Sequence, residues 1–244
     1  MPRKNTSQLL LALTASLLLG SVTGPASGAG GGSEAGLNLM EWSALPDFCK
    51  TSFMSSSYAY LAPQEAREQK KLILQSAGSV NHGIPGAHHF CMGLVKLDRA
   101  RRGIGSYDGA VGELSYSAYD MEPDAPAFSF VRANLGTALY RAGKRKDASI
   151  IWSQGIKAQP QRRESYLAMA SALLSERRPQ EALDLLLKYE AVKDGDYADT
   201  EHFLAQTYFE LKKYDEARQH AQKAYDLGYP VFGLRDKLKQ LGKW

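Results

Sequence analysis

Apolar positions in the second half of the chain recur at helical spacing and are interrupted at regular intervals by polar turns. Leu135, Leu139 and Trp152 form one set, Met169, Leu173 and Leu186 a second, and Leu204 with Tyr208 a third, as expected for helices that bury one face. The breaks between paired helices fall at Arg141-Ala142-Gly143-Lys144, Glu176-Arg177-Arg178-Pro179 and Leu211-Lys212-Lys213-Tyr214-Asp215. Pro179 suits the first turn of a helix, where its missing N–H has no acceptor to lose. A last segment, 231–244, carries Leu234, Leu238 and Leu241 as one apolar stripe on an otherwise charged helix. In the first half the pattern predicts helices over 64–76, 88–102 and 107–122, and an aromatic-rich segment over 40–62 (Trp42, Phe48, Phe53, Tyr58, Tyr60).

Small residues supply the period. Gly136, Ala170 and Ala205 each precede an alanine by 12 positions (Ala148, Ala182, Ala217), and the unit is 34 residues long, then 35. Two antiparallel helices that cross at close range need small side chains at the crossing, with larger ones beside it. This pattern over 129–230 resembles the tetratricopeptide repeat. The resemblance implies an all-α, tetratricopeptide-type helical-hairpin solenoid with repeats at 129–162, 163–196 and 198–230. It would have an irregular N-terminal cap (40–128) and a C-terminal capping helix (231–244), which solenoids need to cover the last apolar face. Residues 88–122 fit a degenerate further repeat, with Gly93 at the small position and Val111 in place of the second-helix alanine. The second repeat departs from the pattern at Tyr189 and Asp194, which suggests a looser junction before the third.

The amino-terminal 29 residues read as a signal peptide: Arg3 and Lys4, then an apolar run over 9–19 too short for a membrane span, then small residues at 25–29. An uncleaved anchor is the competing reading. Residues 30–39 are a Gly- and Ser-containing flexible linker, and no lipid-bearing cysteine lies near the cleavage zone. Losing Arg3 and Lys4 lowers the formal charge from +4 to about +2, too little to argue for nucleic acid. The chain is thus expected to be exported to the periplasm or beyond, without a stable membrane span.

Export gives meaning to the two cysteines. An oxidising compartment favours pairing Cys49 with Cys91, stapling the 40–62 segment to the helix that carries Cys91. The alternative is a soft-donor metal site from His88, His89, Cys91 and Met92, close to His82, in a copper- or zinc-handling protein. Adjacent His88 and His89 point about 100° apart on a helix, which argues against it. Arg101-Arg102 and Arg162-Arg163 read as solvated helix ends. Carboxylates such as Asp98, Asp120 and Glu122 have no evident partner in a cleft. No nucleophile elbow, P-loop, Rossmann fingerprint or EF-hand loop occurs, so nothing points to an enzyme or a cofactor.

The resemblance instead implies a concave groove lined by the first helix of each repeat, at repeat positions 2, 5, 9, 12 and 13. Carried over, these are Phe130, Ala133, Thr137, Tyr140 and Arg141; Glu164, Leu167, Ser171, Leu174 and Ser175; Asp199, His202, Gln206, Phe209 and Glu210. The Lys and Asn by which chaperone-type members hold a terminal carboxylate at positions 5 and 9 have no counterpart here. The implied function is that of an exported bacterial envelope scaffold or assembly factor, binding a partner protein or peptide through Phe130, Tyr140, Arg141, Leu167, Leu174, His202, Gln206 and Phe209.

Overall fold

The computed structural model describes residues 36–76 and 83–244; the expected signal peptide, most of the linker and His82 lie outside them. Every regular element among the described residues is helical. In chain order these are α1 (Leu39–Ala44), α2 (Asp47–Ser55), a 3-10 turn (Ser57–Leu61), α3 (Gln64–Glu68), α4 (Lys70–Ser76), α5 (Ala87–Arg101), α6 (Tyr107–Tyr119), α7 (Phe128–Arg141), α8 (Arg145–Ala158), α9 (Glu164–Ser175), α10 (Pro179–Glu190), α11 (Ala198–Glu210), α12 (Tyr214–Asp226) and α13 (Gly233–Gln240). Helices pack on their neighbours in sequence. The chain forms two compact units that divide within α8, one ending at Ala148 and the other running over Ser149–Trp244.

In the first unit the aromatic segment is fastened to the hairpin of α5 and α6. Asn38 caps α1 by accepting the Glu41 N–H at 2.9 Å, while its own N–H donates to Glu41 Oε2 at 3.1 Å, a reciprocal capping box. The same carboxylate receives Arg99 Nε and Nη2, both at 2.8 Å, and Arg102 Nη2 at 3.0 Å. Cys49 of α2 is disulfide-bonded to Cys91 of α5 across 42 positions of sequence, so the staple lies where the cysteine arithmetic put it. Trp42 packs on Phe53 at 6.3 Å and Phe48 on Phe90 at 6.2 Å between ring centroids. Helices α5 and α6 cross at Gly93, where a Cβ would stand 2.6 Å from Leu114 Cγ. Leu114 is fully buried and has nowhere to go. The alanine sealed inside this hairpin is Ala110, while Val111 is half-buried, so the register differs by one residue from the expected one.

The second unit is built around the small-residue pairs. Ala170 and Ala182 share one buried cluster with Leu167, Leu173, Leu183, Leu186, Phe203 and Leu204. Ala205 and Ala217 share another with Ala221, Leu234 and Leu238. Gly136 and Ala148, at the equivalent places in the first unit, are buried too. Helix α13 thus covers the α11–α12 pair with two leucines, and the third of the expected stripe, Leu241, is 49% exposed beyond the helix end.

The backbone repeats as well. Gly143, Arg177 and Lys212, spaced by 34 and 35 positions, all adopt left-handed φ (82°, 57° and 61°). In each turn the next residue's N–H reaches back to the helix: Lys144 to Leu139 O, Arg178 to Leu173 O and Lys213 to Tyr208 O, all at 2.9 Å. This closure requires a left-handed residue after the helix, a place that suits glycine; Arg177 and Lys212 occupy it under strain.

Elsewhere the structure departs from the pattern. The predicted 64–76 helix breaks at Gln69, whose φ of −92° and ψ of 10° leave the helical region. Helix α6 stops at Tyr119, short of 122. The junction before α11 is not loose: Lys193 Nζ bridges Glu190 at 2.8 Å and Asp196 at 2.6 Å, and the Tyr197 hydroxyl donates to Asp194 at 2.7 Å.

Three stability outcomes follow. Gly93→Ala should cost about 1–3 kcal/mol through overpacking. Replacing both cysteines by alanine should cost roughly 4 kcal/mol on the loop-entropy scale. Arg177→Gly and Lys212→Gly should each gain about 0.5–1 kcal/mol by relieving the left-handed conformation. Urea unfolding of the purified chain measures all of them.

Candidate partner-binding faces

Within each unit the first helices of successive hairpins lie side by side: α5 against α7, and α9 against α11. Their N-terminal turns face inward. Phe130 packs edge-on against Phe90 at 5.5 Å, Leu167 belongs to the α9–α10 core, and Glu164, Asp199 and His202 are buried. Ala133 is buried as well. Six of the expected groove residues therefore sit inside the protein, where they present no free surface: Phe130, Ala133, Glu164, Leu167, Asp199 and His202. The C-terminal halves of the same helices stay accessible. On α7 these positions are Thr137, Tyr140 and Arg141, on α9 Ser171, Leu174 and Ser175, and on α11 Gln206, Phe209 and Glu210. Phe209 is half-buried, with Tyr214 edge-on at 5.7 Å and the Lys237 ammonium 5.9 Å from its ring. Tyr140 lies under the Arg145 guanidinium at 5.9 Å. Each accessible strip pairs an aromatic or aliphatic anchor with small polar groups. The Thr137 and Ser175 hydroxyls are spent on carbonyls of their own helices, at 2.8 and 2.9 Å.

Beneath the α9–α11 face lies a charged network that no local sequence motif announces. Arg163 is buried: its Nε donates to Asp199 Oδ2 at 3.0 Å and its guanidinium stacks 4.0 Å from the Tyr197 ring. Burial lowers the Arg163 pKa, but the Asp199 carboxylate overrides it and the net shift is upward. Glu201, fully buried, accepts from His220 Nδ1 at 2.7 Å and forms an ion pair with Lys223 Nζ at 2.7 Å. Burial alone would raise its pKa; the His220 hydrogen bond and the Lys223 ammonium hold it below the ordinary carboxylate value. The pair Arg162-Arg163 is therefore no solvated end, since Arg162 also holds Glu164 at 3.0 Å. Asp98 likewise has a partner, Arg102 at 2.8 Å. These links span as many as 36 positions, beyond the reach of periodicity.

His202 stands apart from that network. It is 3% exposed, neither ring nitrogen has a hydrogen-bond partner, and its ring stacks on Tyr229 at 4.1 Å with planes 13° apart. Burial pushes its pKa down to about 4.

The histidines of α5 are packing groups. His88 stacks on Tyr58 at 4.8 Å, and His89 lies 4.1 Å from the Tyr116 ring while its Nδ1 donates to Glu113 at 2.8 Å. Cys91 is held in the disulfide, which removes the thiolate that the metal reading needed. Among the described residues no group of three or more His, Cys, Asp or Glu side chains is arranged to hold a metal ion.

Compared with known protein families and with curated proteins, the chain matches none.

Two acid-side transitions follow from these groups. The His202 pKa is lowered in the fold, so the neutral ring is favoured; its contribution of up to about 3 kcal/mol is complete above pH 6.5 and fades as pH falls toward 4. The Glu41 pKa is held at about 2 by Arg99, so that clasp persists above about pH 4.5 and fades toward pH 2. Urea midpoints at pH 7.5, 5 and 3 should fall in both intervals, with His202→Leu flattening the first and Glu41→Gln the second.

Proposed function

We propose that this chain is an exported, tetratricopeptide-type helical-hairpin protein that binds a partner protein or peptide along the faces of its first-in-pair helices. The observation that carries the reading is the side-by-side packing of α9 and α11, with Leu174 and Phe209 accessible among Ser171, Ser175 and Gln206. An apolar anchor ringed by small polar groups suits an extended or helical segment whose side chains seat on a few points. The equivalent strip of Thr137, Tyr140 and Arg141 on α7 has the same composition. The repeated turns at Gly143, Arg177 and Lys212 support the tetratricopeptide assignment, because equal spacing of backbone and of small residues is what a stacked repeat requires. The disulfide fits an oxidising compartment. No helix among the described residues is long and apolar enough to cross a membrane.

The role is that of a scaffold or assembly factor, not an enzyme or metal carrier. A photo-reactive phenylalanine analogue placed at Phe209 or Tyr140 in the native cell envelope tests it. The reading expects the same partner adduct from both sites and none from Leu187, which is 46% exposed on α10. Equal labelling from Leu187, or no adduct at either helix face, would reject it.

A further inference from the structure

Arg101 and Arg141 close α5 and α7, the two adjacent first-in-pair helices of the first unit. They differ from the other arginines around them. Arg99 and Arg102 are held by Glu41, and Arg102 also by Asp98. Lys144, in the turn after Arg141, is held by Asp108 at 2.7 Å. Among the described residues Arg101 and Arg141 make no ion pair and donate no side-chain hydrogen bond, although Arg101 is half-buried and its Nε is sealed from solvent without an acceptor. An unsatisfied buried donor costs about 1–3 kcal/mol, more when charged. A cation at a helix C-terminus gains from the helix dipole, but that gain does not supply an acceptor for Nε. Burial, and then the like charge of Arg141, both disfavour the Arg101 cation, with Asp98 and Tyr107 only partly offsetting them. Asp98 is itself committed to Arg102.

We propose that Arg101 and Arg141 form a recognition site for the carboxylate side chains of an acidic peptide. Guanidinium groups bind carboxylates through paired N–H donors with defined geometry. A carboxylate here would pair with the Nη donors of Arg101, which are not sealed, and with the exposed Arg141, and would relieve the repulsion between the two cations. The site lies at the C-terminal turns of α5 and α7, where Arg141 directly follows Tyr140 in the sequence. This inference rests on the partner-binding reading of these helix faces and names the chemistry of the partner.

Fluorescence anisotropy with the full, disulfide-bonded chain tests it, using a labelled peptide of alternating Glu and Gly and its Gln-for-Glu counterpart. The Glu peptide should bind and the Gln peptide should bind at least ten-fold more weakly. Arg101→Gln and Arg141→Gln should each weaken the Glu peptide by ten-fold or more. Lys212→Gln removes the same charge from an exposed turn of the other unit and should change affinity by less than two-fold. Circular dichroism checks folding, and the exposed Arg141 carries the test alone if Arg101→Gln unfolds. Equal weakening by Lys212→Gln, no binding of the Glu peptide, or displacement by millimolar inorganic phosphate but not by acetate would overturn the proposal. Persistence of the Phe209 adduct after such a failure would leave the partner-binding reading intact.

Discussion

The approach of paired helices at points without bulk is the constraint from which the rest of this structure follows. Where Gly93 meets Leu114 there is no room for a methyl group. Where Ala170 and Ala182, or Ala205 and Ala217, enter a common buried cluster, larger residues such as Leu173, Leu186 and Leu238 fill the flanks. Close crossing brings many dispersion contacts at little conformational cost, because alanine has no rotamers to lose. It also fixes where each turn must fall, and the left-handed residues at Gly143, Arg177 and Lys212 recur at the same interval as the alanines.

Stacking hairpins this way buries the starts of the first helices and leaves their ends accessible. Tyr229 lies over His202, and Phe90 over Phe130. What stays accessible is the second half of each face, carrying Tyr140, Leu174 and Phe209. The charged groups divide accordingly. Those that knit elements together, such as Arg163 with Asp199 and Glu201 with His220 and Lys223, are paired around buried carboxylates. Arg101 and Arg141, at the ends of α5 and α7, have no acceptor among the described residues.

The features legible in the sequence are the periodic and the covalent ones. Helix pairs, the small-residue positions, the Cys49–Cys91 staple and the seating of Leu234 and Leu238 all derive from local spacing or from chemistry that needs no register. Long-range charge pairing was not legible: Arg163 reads as a helix end until Asp199, 36 positions away, is folded against it. Helix-face assignment by repeat position also misplaces Leu167 and His202, because it describes one hairpin and omits the element that packs on it next. The buried small residue of α6 is Ala110, one position from Val111, because that hairpin lacks a strong period and its turn is longer than the others. Gln69 breaks α3 from α4 without any proline or glycine to announce it.

If close crossing sets the fold, the small residues at the crossings are required for their size. Urea unfolding of Ala182→Leu against an exposed α10 substitution, Leu187→Ala, measures this directly. Ala182 is fully buried and Leu187 is 46% exposed, so the added bulk should cost about 1–3 kcal/mol or more, while the surface change stays near 0.5 kcal/mol. An Ala182→Leu chain as stable as the parent would contradict close crossing as the basis of the fold.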